Sequence, residues 1–345
     1  MPKELVFLGP GKVGYREYSE PDLKKDEVRL RSLMSGISHG TEMNYYKGTV
    51  PFLHKKWNPN LRIFEKGEAT LSYPTTVGYE NVSIITELGK KVKDVKIGDR
   101  VRVFRPHRET NIVTEDDAKH GLLPDEVSPE EGIFGHLAVV ALGAVHDARV
   151  KIGDNVAIFG LGAIGLMVNQ LTKMNGAGKI FAVDLIEKRL TKAKMYGSIP
   201  MDAREGDIAK KIKELTDSKG VDVAIETSGT YRGINEAIRC CRIAGNVVTV
   251  GFYRGNAHDL TLAEEWHHNR ITLMSSMTSW GCPHRDSPLW DYNRLFATVI
   301  TLFKNKKLLV KDLITHKISF NNAQKAYALI DNDPKETIKV AIQYT

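Results

Sequence analysis

Between Asn155 and Ser276 the apolar positions fall into two kinds of block. Short continuous runs, Val156–Phe159, Ile180–Val183, 223–225, 247–250 and 271–274, have the length and β-branched content of buried strands. Between them, apolar residues recur every three or four positions: Ile164, Met167, Val168, Leu171 and Met174, then Ile208, Ile212 and Leu215, then Ile234, Ala237, Ile238 and Cys241. That spacing puts one apolar stripe on a helix. Strands alternating with helices predict an α/β fold with a doubly wound parallel sheet, covered on both faces.

The flanking sequence has a different rhythm. Val28/Leu30 and Val101/Val103 alternate singly with polar residues, as half-buried strands do. Gly36, Gly40, Gly48, Pro51, Pro74, Gly78, Gly89 and Gly98 punctuate the region, which reads as β-rich with short strands and functional loops. Phe52 to Ser72, with Trp57, Pro59, Arg62 and Phe64, reads as a long loop. Toward the C-terminus, Leu289 to Phe303 is periodic as a helix. A strand is expected over 314–320, then a short helix capped by Asn321 or Asn322, then a strand over 338–344. The expected division is 1–149 with 286–345 as one domain and 150–285 as the other, with a cofactor cleft between them.

The strongest chemical signal is the junction of the first apolar run with its helix. Gly160-x-Gly162-x-x-Gly165 follows Val156–Phe159 at once, and Asp184 ends the next run roughly twenty residues later. In a dinucleotide site the first glycine makes a tight turn, the second lets the pyrophosphate approach the backbone, and the third lets helix and strand close together. The helix start, with Ala163 and Ile164, offers free N–H groups and a positive dipole end to phosphate. The Asp184 carboxylate can accept from both adenosine ribose hydroxyls and repels a 2′-phosphate, so NAD is the expected cofactor. Lys188 and Arg189 lie just beyond; they either flank the adenine, attract a 2′-phosphate, or are exposed helix-start charges.

Composition narrows the field modestly. Forty-nine Lys and Arg face 42 Asp and Glu, a formal charge of +7 spread along the chain. Runs such as Lys55-Lys56 and Lys306-Lys307 read as solvated surface, so no nucleic-acid partner is expected, and an anionic small substrate is a better use of the excess. No apolar run is long enough to cross a bilayer, so no membrane partner is expected either. The start, Met-Pro-Lys-Glu, lacks a secretory pattern. Three cysteines, Cys240, Cys241 and Cys282, show no paired spacing, which suits a reducing, cytoplasmic setting.

Ser35-Gly-Ile-Ser-His-Gly-Thr-Glu42, Val77-Gly-Tyr-Glu80, Lys96-Ile-Gly-Asp-Arg-Val101, the Gly160–Gly165 turn, Gly220-Val-Asp-Val-Ala-Ile-Glu-Thr-Ser-Gly229 and Ile338-Lys-Val340 follow one another in an order that resembles the medium-chain dehydrogenase/reductase superfamily over nearly the whole chain. Their order and spacing look like the zinc alcohol dehydrogenases. The resemblance implies a GroES-like catalytic domain beside the Rossmann domain, hydride transfer between an alcohol and NAD, and a homo-oligomer, dimer or tetramer. It also suggests cofactor contacts from His39, Ser228, Gly229, Val250, Gly251, Phe252, Ser275 and Lys339, the last near the phosphates.

The positions matching the family's metal ligands depart from it. Ser38 stands for a cysteine, Tyr79 for a histidine, Glu80 is kept, and the last position falls near His136. Residues 100–130 hold no cysteine, so the structural-zinc lobe is missing too. Neutral hydroxyls bind zinc poorly beside thiolate and imidazole, so no catalytic metal is expected. This form is similar to a zinc-poor branch that includes the bacteriochlorophyllide dehydrogenases. A residual site on Glu80 and His136, with His39 or His107, is the alternative; Glu80 also reads as a buried carboxylate paired with Arg or Lys.

Without a metal, the hydroxyl proton needs a positioned acceptor and the oxygen needs donors. Ser38, Thr41, Tyr79, Glu80 and His136 are the candidates, with Tyr79 and His136 binding the reacting oxygen and Thr41 relaying the proton. Tyr45, Tyr46, Lys47, His54, Trp57, Arg105, His107, Trp280, His284 and Arg285 are expected near the cleft, and such a lining suits a small polyol, sugar or sugar acid. Two other readings stay open: a zinc-free quinone or enoyl reductase, and an NAD-binding sensor without catalysis.

Overall fold

All five predicted runs become strands of one parallel sheet. The computed structural model describes residues 1–277, 286 and 288–345, so Trp280, Cys282, His284 and Arg285 lie outside the described residues. Among the described residues the sheet has six strands in the order Ile199–Asp202, Ile180–Asp184, Val156–Phe159, Val221–Glu226, Cys241–Thr249 and Thr272–Ser275. Every neighbouring pair is parallel. The edge strand Ile199–Asp202 went unforeseen because Pro200 interrupts it. An edge position tolerates that proline, since one side of the strand needs no ladder partner. Val156–Phe159, first in the chain, sits mid-sheet, so successive connections run to opposite sides of it. The switch point lies at its carboxyl end, where open α/β sheets bind ligands.

The helix carrying Ile234, Ala237 and Ile238 is Tyr231–Cys240, and Cys241 opens the following strand instead of extending the helical stripe. The predicted C-terminal helix starts at Tyr292, capped by the Asp291 side chain, while Leu289 is exposed. Helix Gly135–Asp147 was not foreseen at all. It is buried on nearly every face, so its sequence has no amphipathic period to read. This helix packs against both Ala163–Met174 and Tyr292–Lys304. The compact units are accordingly Met1–Phe134 with Ile314–Thr345, and Gly135–Leu313, so two helices that the sequence division assigned to the flanking domain count with the parallel sheet.

The first unit is β-rich. Its larger sheet runs Leu122–Leu123, Arg100–Val103, Glu80–Leu88, Glu27–Ile37, Lys339–Gln343 and Ile314–Ser319, with Thr110–Thr114 also paired to the long central strand. The pairing register does the positioning work. Gly36 faces Glu80 on one side of that strand, while Ile37 faces Val340 on the other. Residues far apart in the chain thereby meet at one strand end. The segment over 52–72 is not a plain loop. It holds a small antiparallel pair, Lys56–Asn58 with Ile63–Glu65, and the rings of Phe52, Trp57 and Phe64 pack together at 4.9–6.4 Å. The late helix begins at Gln324 with Ala323 as its cap; Asn321 and Asn322 form a preceding 3-10 turn.

Candidate active site

In the parallel-sheet unit, the three fingerprint glycines meet three different environments. Gly160 has φ +85°, and a Cβ there would sit 2.6 Å from the Ser228 backbone. Gly162 caps the helix Ala163–Met174, and a Cβ on it would meet nothing within 4 Å, leaving the approach to the helix start open. Gly165 presses on the turn itself: a Cβ would lie 1.9 Å from the Gly160 carbonyl oxygen. Tight turn, open approach and close packing are the three properties a pyrophosphate turn needs.

Asp184 is buried at the end of its strand. One carboxylate oxygen accepts the Leu161 N–H at 2.6 Å, and the other accepts those of Leu185 and Ile186 at 2.7 and 3.0 Å. The acid is thus tied to the fingerprint turn before any ligand arrives. Arg189 stands 3.7 Å from it, and burial pulls the guanidinium below its ordinary range. It is a partner of Asp184 more than an exposed helix-start charge. Ser228 and Gly229, together with Val250, Gly251 and Phe252, occupy the carboxyl ends of the next two strands, and Ser275 ends the edge strand. Two residues that sequence reasoning passed over join these loops: Glu226 and Tyr253, whose side chains are hydrogen-bonded. The signal for Glu226 was present, as a carboxylate closing an apolar run in the way Asp184 does.

The β-rich unit gathers most of the remaining candidates. The Tyr79 hydroxyl donates to Ser38 Oγ at 2.6 Å, and Thr41 Oγ1 stands 3.4 Å from it. Burial, then the charge of Glu80, pushes the phenol well above its ordinary range, so it is a donor and not a phenolate. Glu80 is buried and ion-paired with the buried Lys339 ammonium, which also donates to the Ile37 carbonyl at 2.8 Å. Gly36 makes room for the pair: a Cβ there would sit 2.4 Å from Glu80 Oε2. Burial outweighs Lys339 and pushes the Glu80 carboxyl up to about 7. This corrects the phosphate role expected of Lys339, whose ammonium is occupied by a carboxylate and a carbonyl.

Glu42, unmarked by the sequence, is fully buried behind Ser38. It accepts the Ser38 N–H at 2.9 Å, the Tyr327 hydroxyl at 2.6 Å and a bond from His107 Nε2 at 3.0 Å. Burial alone would raise this carboxyl, but His107, Tyr327 and Ser38 together hold it below the ordinary range. His107 continues through its other nitrogen to Ser35 and thence Tyr344. It is a fully buried network member. Lys47 pairs with Asp331, and Tyr45 and Tyr46 pack on the apolar core. The expected polar lining therefore shrinks, because an aromatic or imidazole ring is readily buried once its polar atom finds a partner. His39 is half-buried in the turn after the central strand. His136 belongs to the other unit, where its Nδ1 is 3.1 Å from the Tyr292 hydroxyl.

These donors do not fit a zinc ion. At the matching positions of the β-rich unit, two neutral hydroxyls bond to each other and the carboxylate is held by a buried ammonium. No group of three His, Cys, Asp or Glu among the described residues could hold a metal. Among them, too, no helix is long and apolar enough to cross a membrane.

Residues 24–146 match the family described as alcohol dehydrogenase GroES-like domain, and residues 163–288 match zinc-binding dehydrogenase. The D-guloside 3-dehydrogenase of Escherichia coli (strain K12) is 30% identical over 99% of this chain and 100% of its own length. The chain belongs to the medium-chain dehydrogenase/reductase superfamily. The (R,R)-butanediol dehydrogenase of Bacillus subtilis (strain 168) is 30% identical over 87% of each chain. The crystal structure of a 2R,3R-butanediol dehydrogenase from Bacillus subtilis superposes with a TM-score of 0.80 over 99% of each chain at 25% identity. This medium-chain dehydrogenase/reductase is therefore an oxidoreductase with the Rossmann and GroES-like folds its motifs implied.

Proposed function

We propose that the protein is an NAD-dependent dehydrogenase that interconverts an alcohol of a sugar, polyol or sugar acid and its ketone or aldehyde, with side-chain hydroxyls replacing the catalytic zinc. The hydrogen bond from Tyr79 to Ser38 carries this reading, since it fills two positions that would otherwise hold metal ligands. Relatives named for guloside, butanediol and sorbitol support the substrate class. Asp184, anchored by three backbone N–H groups, supports NAD over NADP.

NAD, when bound, supplies the hydride acceptor. The chain's own task is the oxygen. As the carbinol hydrogen leaves with its electron pair, the hydroxyl becomes strongly acidic, and its proton must pass to an acceptor while the oxygen closes the carbonyl; the oxygen carries negative charge only to the extent that the proton leaves first. The substrate hydroxyl donates to the Tyr79 oxygen; as its proton passes to Tyr79, the Tyr79 proton passes to Ser38 and on by way of Thr41 to solvent, so that Tyr79 stays protonated. Lys339 offsets the charge of Glu80, which would otherwise stand unpaired beside Tyr79 and oppose a developing anion.

The deciding experiment pairs metal analysis of purified protein with a panel of polyols, sugars and sugar acids, run with NAD and NADP separately. Turnover with NAD, unaffected by chelator and without stoichiometric zinc, is expected. Stoichiometric zinc with activity lost on chelation overturns the metal-free reading.

A further inference from the structure

Glu226 closes the strand Val221–Glu226 at the sheet's carboxyl edge and is buried completely. Its carboxylate collects four donors. One oxygen accepts the Ser228 N–H at 2.7 Å and the Ser228 hydroxyl; the other accepts the Gly229 N–H at 3.2 Å and the Tyr253 hydroxyl. These donors come from two loops, 227–230 and 250–253, which follow neighbouring strands.

The loops also touch the fingerprint turn. Thr227 Oγ1 donates to the Gly160 carbonyl at 2.6 Å, and a Cβ on Gly160 would sit 2.6 Å from Ser228. A Cβ on Gly251 would lie 2.4 Å from Gly229 Cα. From the other side comes the first turn of helix Tyr231–Cys240, where a Cβ on Gly233 would be 2.6 Å from the Glu226 carboxylate. A helix start favours an anion there.

We infer that Glu226 is a positioning residue of the cofactor site: its carboxylate clasps the two loops that line the nicotinamide side and holds them against the Gly160 turn. This rests on the NAD reading above and goes beyond it, because it names what keeps those loops in place.

Ionisation is what lets one side chain accept all four bonds; a protonated carboxyl must donate one and loses acceptor capacity. Burial raises the Glu226 carboxyl above its ordinary range, against the pull of Ser228, Tyr253 and Gly229. Tyr253 is the ionisable group bonded to it, and burial, then Glu226 itself, pushes that phenol up and keeps it a donor. The helix brings Gly233 and, with its ring centroid 5.5 Å from that of Tyr253, Tyr231; the strand Val156–Phe159 and the Gly160 turn bring no ionisable side chain. NAD affinity should therefore fall as pH drops through the raised carboxyl range.

The test measures NAD and ADP-ribose dissociation constants by calorimetry for wild type, Glu226→Gln and Tyr253→Phe, from about pH 8 to about pH 5. Glu226→Gln should bind NAD about tenfold more weakly near pH 8, bind ADP-ribose within about twofold of wild type, and lose the acid-side fall in NAD affinity. Tyr253→Phe removes one donor and should give a smaller loss of NAD affinity with the pH dependence kept. Unchanged NAD affinity in both variants, or a wild-type pH dependence in Glu226→Gln, overturns the inference. If Glu226→Gln does not fold, Tyr253→Phe decides: NAD affinity equal to wild type overturns it. Wild-type protein that binds neither NAD nor ADP-ribose overturns the cofactor reading itself, a separate failure.

Discussion

The two polar centres of this protein are built in opposite ways. The Gly160–Gly165 turn is made of consecutive backbone, and side chains enter mainly as an anchor at Asp184 and a clasp at Glu226. The cluster around Tyr79 is made of side chains delivered by separate strands, helices and loops, from positions 38, 41, 42, 79, 80, 107, 327 and 339. The first centre depends on the shape of its backbone, and the second on which hydrogen-bonding groups its side chains carry. The comparison teaches that binding and chemistry should separate cleanly on mutation here.

The widest separation is expected at Tyr79. Tyr79→Phe should lower kcat by at least about a hundredfold while the NAD dissociation constant stays within about twofold. Steady-state kinetics and calorimetry read the two effects, and unchanged turnover removes the residue's chemical role. Gly165→Ala probes the other centre. Its new Cβ would meet a backbone carbonyl at 1.9 Å, so the turn must open. We expect a loss of about 2 kcal/mol in stability together with weaker NAD binding, read by thermal melts with and without cofactor.

Glu42 sharpens the contrast, since it supports the cluster without facing substrate. Glu42→Gln should cost roughly 1.5 to 2 kcal/mol at neutral pH, because a charged acceptor with three buried partners is lost. The folded carboxyl lies below its unfolded value, so its contribution is present above about pH 4.5 and disappears as pH falls through the lower, folded value. Melting midpoints of wild type and variant should thus converge in acid; a constant gap would place the cost in packing. The smallest effect is specificity: Asp184→Asn should shift the NAD-to-NADP preference several-fold toward NADP, measured as a ratio of kcat/KM values. A ratio that does not move would leave Arg189 beside it as the better candidate for control of the 2′ position.

Much of the parallel-sheet unit was legible in the chain alone. Strands buried on both faces read as continuous apolar runs, helices with one buried face show their period, and the turn is a local device whose glycines sit within six positions. Helix Gly135–Asp147 escaped because it has no exposed face to set a period, and Ile199–Asp202 because its proline argues against a strand except at an edge. In the β-rich unit, Ser38, Thr41, Tyr79 and Glu80 were nominated by resemblance; a basic partner for Glu80 was among the readings, but what the other three bond to was not.

By itself, then, the sequence determined the alternation of strand and helix, the pyrophosphate turn and the departure from a zinc-ligand set, since each depends on residues near one another in the chain. Tertiary structure alone decided that Lys339 serves Glu80, that His107 and Tyr327 meet Glu42, and that Tyr253 reaches Glu226. Those pairings join separate strands, helices and loops. A buried charge takes its partner from whichever neighbour the sheet register brings within hydrogen-bond reach, and local patterns of hydrophobicity carry no record of that choice.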